Sequence, residues 1–324
     1  MGKATGIAWT RSSFNPWWGC QAVSPGCDHC YAEAWAKRTG RDFNKRTRTS
    51  VPYWKQPLLW DKLVARERET GRIAVPTRKP IRPRPEWQKP GFWPVFPSLC
   101  DPFDNEVPEQ WRVDFFRLID ATPNLTWLLL TKRIGNVEKM HPGGDYENVW
   151  LGASIVNQPE ADRDLPKLMA VRGVAKLFVS YEPALGPVDF SRFLGTFRCD
   201  EEVDGAPCDA NGFLVNFPLA NGVRRCPACG SLALQEKRGI DQIIVGGESS
   251  QGGKQARPFD LEWARSTVRQ CREAGVACFV KQLGSNPING NDSGHPINDW
   301  GFKDRAGADP DEWPEDLRVQ EFPA

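Results

Sequence analysis

The chain has 324 residues, 40 % hydrophobic and 26 % charged, a balance that excludes a largely disordered or fibrous protein and suffices for a substantial core in one large domain or two ordinary ones. Forty-two Lys and Arg against forty-one Asp and Glu leave a formal net charge of +1, so any nucleic-acid role has to come from a local patch. The apolar runs are too short to span a bilayer and MGKATGIAWT has no signal-peptide core, which predicts a soluble, cytoplasmic protein with no membrane partner.

Short apolar runs predict strands at residues 6–10 (GIAWT), 94–99 (PVFPSL), 125–130 (LTWLLL), 149–153 (VWLGA), 176–180 (KLFVS), 242–245 (QIIV) and 277–281 (ACFVK). Their near-continuous hydrophobicity fits strands buried on both faces of a parallel sheet. Helical spacing of apolar residues predicts helices over Glu109–Asp120 and Leu261–Ala274. Alternation of strand and helix predicts an α/β fold, a partial or full β/α (TIM-like) barrel. Polar residues gather just after the strands (Asp101 and Asp104, Lys132 and Arg133, Ser154 and Asn157, Glu182, Glu248), where a barrel builds its active site.

Two connections are too long for plain crossovers. Residues 37–89 hold sixteen Lys and Arg against five Asp and Glu, interleaved with Phe43, Tyr53, Trp54, Trp60 and Trp87. Basic groups neutralise phosphates and aromatics stack on bases, although a solvated surface over core indoles accounts for the same pattern. The second, about residues 196–235, carries a cysteine group. We therefore expect a barrel over residues 1–286, with a basic excursion at about 37–90 and the cysteine insert, followed by an acidic extension at 287–324 that packs on the barrel with Trp300 and Trp313 as anchors.

The ten cysteines are clustered. Cys20, Cys27 and Cys30 fall within eleven residues, directly after the first predicted strand. Three thiolates suit a [4Fe–4S] cluster with one iron left open, whereas structural zinc takes four protein ligands. The spacing alone leaves open a zinc site completed by His29 or a distant ligand, and three buried thiols. Cys199, Cys208, Cys226 and Cys229 form the second group. Its CPACG knuckle fits a closed tetrahedral zinc site in a zinc-ribbon-like module, with a second Fe–S cluster or free thiols as the alternatives. Cys100, Cys271 and Cys278 have no partner spacing and read as buried or strand-end thiols.

The segment NPWWGCQAVSPGCDHCYAEAWA resembles the signature of the phage-associated three-cysteine-motif family, which is assigned to the radical S-adenosylmethionine (SAM) superfamily. The resemblance continues in order through SLCDPFDNEVP, LLLTKR, NVWLGASIVNQ, FVSYEPALGP, IIVGGESSQGGKQARP, FVKQLG and WPEDLRVQEFP. The first two cysteines are separated by six residues rather than the superfamily's usual three, which widens the loop without removing a ligand. The resemblance implies a radical SAM-type barrel in which Cys20, Cys27 and Cys30 hold a [4Fe–4S] cluster that binds and cleaves SAM to generate a 5′-deoxyadenosyl radical. It also implies a reducing partner of the flavodoxin or ferredoxin type.

Under that implication the expected SAM contacts are Tyr31, Asp101, Lys132, Ser154, Glu182, Gly246, Gly247 and Glu248. Tyr31 stands where the superfamily often places an aromatic near adenine. Glu182 suits the ribose or ammonium, Lys132 or Arg133 the carboxylate, and the Gly pair a close backbone approach. The expected function is a radical SAM enzyme acting on a nucleobase or nucleotide, in phage DNA modification or repair within phage or host cytosol, with structural Zn2+ on the second cysteine group. The alternatives are a non-catalytic zinc-scaffolded nucleic-acid-binding protein and a radical SAM enzyme acting on a small metabolite or peptide.

Overall fold

The structure, a computed structural model, describes residues 6–74, 88–194, 238–251, 253–290 and 302–323, together with short pieces between 197 and 236. Seven parallel strands lie in strictly sequential order: β1 (Ser12–Ser13), β2 (Pro94–Phe96), β3 (Thr126–Thr131), β4 (Tyr146–Ile155), β5 (Val174–Tyr181), β6 (Gln242–Gly246) and β7 (Ala277–Gln282). The principal helices are α1 (Tyr31–Arg38), α2 (Gln56–Thr70), α3 (Glu109–Asp120), α4 (Gln158–Ala170) and α5 (Leu261–Ala274). Sequential parallel strands joined through helices are the wiring of a β/α barrel. Here β1 and β7 are the two edges of the sheet, so it curls into a partial barrel.

Side-chain alternation divides the strands between two cores. Leu129, Leu151, Leu177, Val179, Ile243, Val245 and Val280 face the helices and join one cluster. Phe96, Leu128, Trp150, Phe178, Ile244 and Phe279, one from each of β2 to β7, face inward and join another. Trp9 meets both Phe96 of β2 and Phe178 of β5, strands that are not neighbours in the sheet, as the curl requires. Both faces are buried, which is why the strands read as nearly unbroken apolar runs. At Gly152 of β4 the Phe178 ring occupies the space a Cβ would take.

The two helices predicted from periodicity have the predicted bounds. In α5 the Asp260 side chain caps the start by accepting from Glu262 N, and Gly275 ends it in the left-handed conformation. The first predicted strand is displaced. Residues 6–10 form no strand; Trp9 is buried inside the barrel, 4.6 Å from Phe96 and 6.0 Å from Phe178 between ring centroids. The edge strand is Ser12–Ser13, whose buried Ser12 accepts a 3.0 Å hydrogen bond from Trp93 Nε1. An apolar run filling the barrel interior and one forming a strand look alike in sequence.

In the basic excursion Trp60 and Val64 of α2 are core residues. Tyr53 stacks on Phe14 at 5.0 Å and Trp54 meets the same ring edge-on at 5.7 Å. Arg46 pairs with Asp104, Arg48 with Asp114 and Lys37 with Glu33. These three aromatics, Arg46 and Arg48 therefore serve the fold, while the Lys37 pair lies exposed on α1. Trp87 lies outside the described residues.

The acidic extension lies along the β7 edge. Val280 N donates to Val319 O at 2.8 Å and Glu321 N to Cys278 O at 2.9 Å, an antiparallel pairing that covers an otherwise open strand. Trp313 and Leu317 are buried, and Phe322 packs against Phe279, Trp150 and Phe92. Trp300 lies outside the described residues. Among the described residues, no helix is long and apolar enough to cross a membrane.

Candidate active site

A cavity of about 360 Å³ opens at the C-terminal ends of the strands. It brings together residues far apart in the chain: Cys20, Cys27, Cys30 and Tyr31 from the loop after β1, Asp101 after β2, Lys132 and Arg133 after β3, Ser154 of β4, Glu182 after β5, Gly247 and Glu248 after β6, and Lys281 of β7. Inward alternation explains several of these. Ser154 and Ser180 continue the parity of Trp150 and Phe178, and Lys281 that of Phe279, so the polar mouth is the last layer of the aromatic interior. Trp9 and Phe96 also line the cavity.

The cysteine loop is pinned on every side. Gly19 has φ +106°, and a Cβ there would lie 2.5 Å from Lys45 O; only glycine allows the backbone to pass so close. Cys20 N then donates to Phe43 O at 3.0 Å. Ser24 caps the short 3-10 turn Pro25–Cys27, and its hydroxyl bonds Glu160 Oε1 of α4 at 2.8 Å. Cys30 is the N-cap residue of α1, so the start of that helix fixes the direction of the loop's last cysteine.

Asp101 is the hub beneath this loop. Its carboxylate accepts from Thr131 Oγ1, Phe103 N, Lys132 N and Arg133 Nη1 at 2.7 to 3.1 Å. The sequence suggested Asp101 as a cofactor contact; the structure fills its carboxylate with intramolecular donors and uses it to aim Arg133. Arg133 in turn donates to Cys20 Sγ at 3.4 Å and to Gln21 O at 2.8 Å. Burial raises the Cys20 thiol above its ordinary value, Asp101 adds to that, and Arg133 opposes both.

Glu248 has a similar anchoring position. It accepts from Arg257 Nη2 at 2.7 Å, Arg257 N at 2.9 Å and Arg257 Nε at 3.1 Å, and meets His29 Nδ1 at 2.9 Å. Burial works to raise this carboxyl, but the Arg257 and His29 bonds leave it below the ordinary range. Arg257 continues to Pro25 O at 2.9 Å. Glu248 and Arg257 thus fasten the cysteine loop to the end of β6. Asn157 caps α4 through Glu160 N, and Asp104 is buried against Arg46.

The polar groups facing the open space are Lys132, Ser154, Glu182, Lys281 and Tyr31. Lys132 Nζ donates to Ser154 Oγ at 2.8 Å, and Lys281 Nζ pairs with Glu182 Oε1 at 2.9 Å. Gly246 does not line the cavity; a Cβ there would lie 2.8 Å from Glu182 Oε1, so its role is to admit that carboxylate. The Tyr31 hydroxyl is fixed to Ser98 O at 2.5 Å while 45 % of the residue stays exposed, presenting a ring face at the mouth. Two ammonium groups beside one carboxylate suit a zwitterionic ligand. Lys281 and Gln282 lie in the FVKQLG segment and Arg257 in IIVGGESSQGGKQARP, yet the resemblance assigned none of them a role. The inward parity of Lys281 at the end of a strand was a signal that could have marked it.

Among the described residues, the sulfurs of Cys208, Cys226 and Cys229 lie within 4.8 Å of one another, and those of Cys20, Cys27 and Cys30 do not close to that spacing. Single-ion zinc with Zn–S of about 2.3 Å draws its sulfurs to about 3.8 Å apart. The wider set faces the cavity; the tight set belongs to the insert. The Cys199 side chain lies outside the described residues.

The family described as "Protein of unknown function (DUF5131)" matches residues 4–305. No curated protein and no solved structure matches the chain.

Proposed function

We propose a function from the site itself, because the chain belongs to the DUF5131 family of proteins of unknown function: the cavity is the active site of a radical SAM enzyme. The observation that supports this most is the convergence of Cys20, Cys27 and Cys30 on one cavity at the C-terminal ends of a partial β/α barrel. The donor set fits a cluster. The three thiols share one cavity and are free of disulfides, and three cysteine sulfurs are the ligand chemistry such a cluster takes. When bound, a [4Fe–4S] cluster on these cysteines supplies an open iron for the amino and carboxyl groups of SAM and the electron that breaks its sulfonium.

The protein's share is positioning and exclusion of water. Lys132 and Lys281 attract carboxylate or phosphate, Glu182 suits an ammonium or ribose hydroxyl, and the exposed Tyr31 ring offers a stacking face. Trp9 and Phe96 form an apolar floor that keeps water from a reactive carbon centre. Asp101 and Glu248 act on the loop, through Arg133 and through Arg257 with His29.

The substrate in this proposal is a nucleobase or nucleotide, within phage DNA modification or repair, and the electron donor is a flavodoxin or ferredoxin type of protein. The support for the substrate is the local charge excess of residues 37–89, of which Arg46 and Arg48 are already paired inside the fold. Anaerobically reconstituted protein should contain about four irons per chain, and with reductant it should convert SAM to methionine and 5′-deoxyadenosine. Digested DNA incubated with the active protein should then show a new nucleoside by mass spectrometry. Protein that takes up zinc but no iron on Cys20, Cys27 and Cys30 would overturn the enzyme reading. SAM cleavage without any change in DNA would overturn the substrate alone.

A further inference from the structure

We propose that Cys208, Cys226 and Cys229 bind one zinc ion that holds the insert together, independently of the cavity cysteines. The geometry is that of a single-ion thiolate site. The three sulfurs lie within 4.8 Å of one another, and Cys208 Sγ is 3.6 Å from Cys226 Sγ, close to the separation of about 3.8 Å that tetrahedral zinc imposes.

The backbone around Cys226 is already turned for a metal. The N–H groups of Ala228 and Cys229 donate to the Cys226 sulfur. Gly230 N returns to Cys226 O at 2.8 Å, Cys226 N donates to Ser231 O at 2.9 Å, and Gly230 is left-handed at φ +74°. Amides directed at a sulfur orient it, as the hydrogen-bond partners around a metal ligand do. Cys226 is 2 % exposed, in an insert whose described strands are two or three residues long. Strands that short cannot bury a core of their own, and a metal supplies the missing folding free energy.

Connectivity places the insert's return to the barrel. The chain returns from the insert through Arg238, which donates to Val171 O and Val174 O at the start of β5, and through Asp241, whose N–H bonds Leu177 O just before β6 begins. The cavity uses the other ends of the same strands, Glu182 and Gly247. Five residues of β6 put about 17 Å between the two levels. The insert's return to the barrel is therefore at the end away from the cavity. By sequence, Cys199 is the remaining cysteine of the group.

The test is metal analysis of the full-length chain and of two variants, Cys229→Ser and Cys27→Ser. We expect one zinc per wild-type chain, full zinc in Cys27→Ser and none in Cys229→Ser. Cobalt exchanged into the wild type should show the visible bands of a tetrahedral thiolate site. If Cys229→Ser does not fold, mercurial titration of the wild type replaces it: zinc should leave in step with the insert thiols while barrel circular dichroism persists. Zinc retained in folded Cys229→Ser, zinc lost from Cys27→Ser, or a wild type without zinc would overturn the proposal. Iron content reports separately on the cavity cysteines, so either reading can fail alone.

Discussion

Arg133 Nη1 donates to Cys20 Sγ across 3.4 Å while the same nitrogen is held by Asp101 Oδ2 at 3.0 Å. The carboxylate thus sets the direction of the guanidinium, and the guanidinium sets the direction of the sulfur. Partners one bond removed from a metal ligand typically change affinity by about 10- to 100-fold when lost. Arg133→Met should therefore lower iron occupancy at least several-fold under limiting iron, with Arg133→Lys recovering part of it. Iron and sulfide assays read this directly, and unchanged occupancy in Arg133→Met would show that Cys20 needs no such support.

Glu248 and Arg257 should matter to loop order before they matter to any reaction. Glu248→Ala leaves Arg257 and His29 without their shared acceptor and releases the Pro25 carbonyl from its anchor. Hydrogen exchange across residues 20–30 should accelerate by one to two orders of magnitude, since charged hydrogen bonds contribute about 1.5–3 kcal/mol each. The melting of the barrel should shift little. Unchanged exchange would mean that Ser24 and Gly19 suffice to hold the loop.

The buried pair Arg11–Glu67 gives a pH signature. Glu67 accepts from Arg11 Nη2 at 2.6 Å, Arg11 Nη1 at 2.8 Å and Ala74 N at 2.6 Å, and Arg11 also lies 3.7 Å over the Trp93 ring. Burial opposes ionisation of the carboxyl, but these donors hold it below the ordinary value of 4.5. A depressed carboxyl stabilises the fold fully above its unfolded value and loses that contribution as pH falls through the folded one. Glu67→Gln should cost about 3 kcal/mol at pH 7, and the gap from wild type should close below about pH 4.5. Urea unfolding across pH 3 to 7 measures it. A gap independent of pH would assign the loss to shape rather than charge.

Inside the barrel, Gly152→Ala should destabilise by about 1–3 kcal/mol because the new methyl meets the Phe178 ring. Phe178→Leu should also destabilise alone, yet the double variant should be more stable than the two single losses predict. A double-mutant cycle by denaturant unfolding checks the coupling. Additive losses would show that the ring moves aside freely.

The sequence alone settled what repeats locally. Helices Glu109–Asp120 and Leu261–Ala274 were legible to the residue, since a 3.6-residue period and end signals such as Asp260 and Gly275 are written in adjacent positions. The order of strands β2 to β7 was legible because burial on both faces makes each one an apolar run. Cys20, Cys27 and Cys30 stood out because they fall within eleven residues of one another. Three things required the tertiary structure. Trp9 lies in a run that looks like a strand, and only the closed interior turns it into filling. Asp101 and Glu248 look like ligand contacts from their places after strands, and only the arrival of Arg133, His29 and Arg257 converts them into anchors. Lys281, more than 200 residues from the cysteines, reaches their cavity because seven strands curl far enough to bring β7 round. Periodicity reports which face of an element is buried, but not what another element carries to the same place, and a site built at the ends of many strands is made of such meetings.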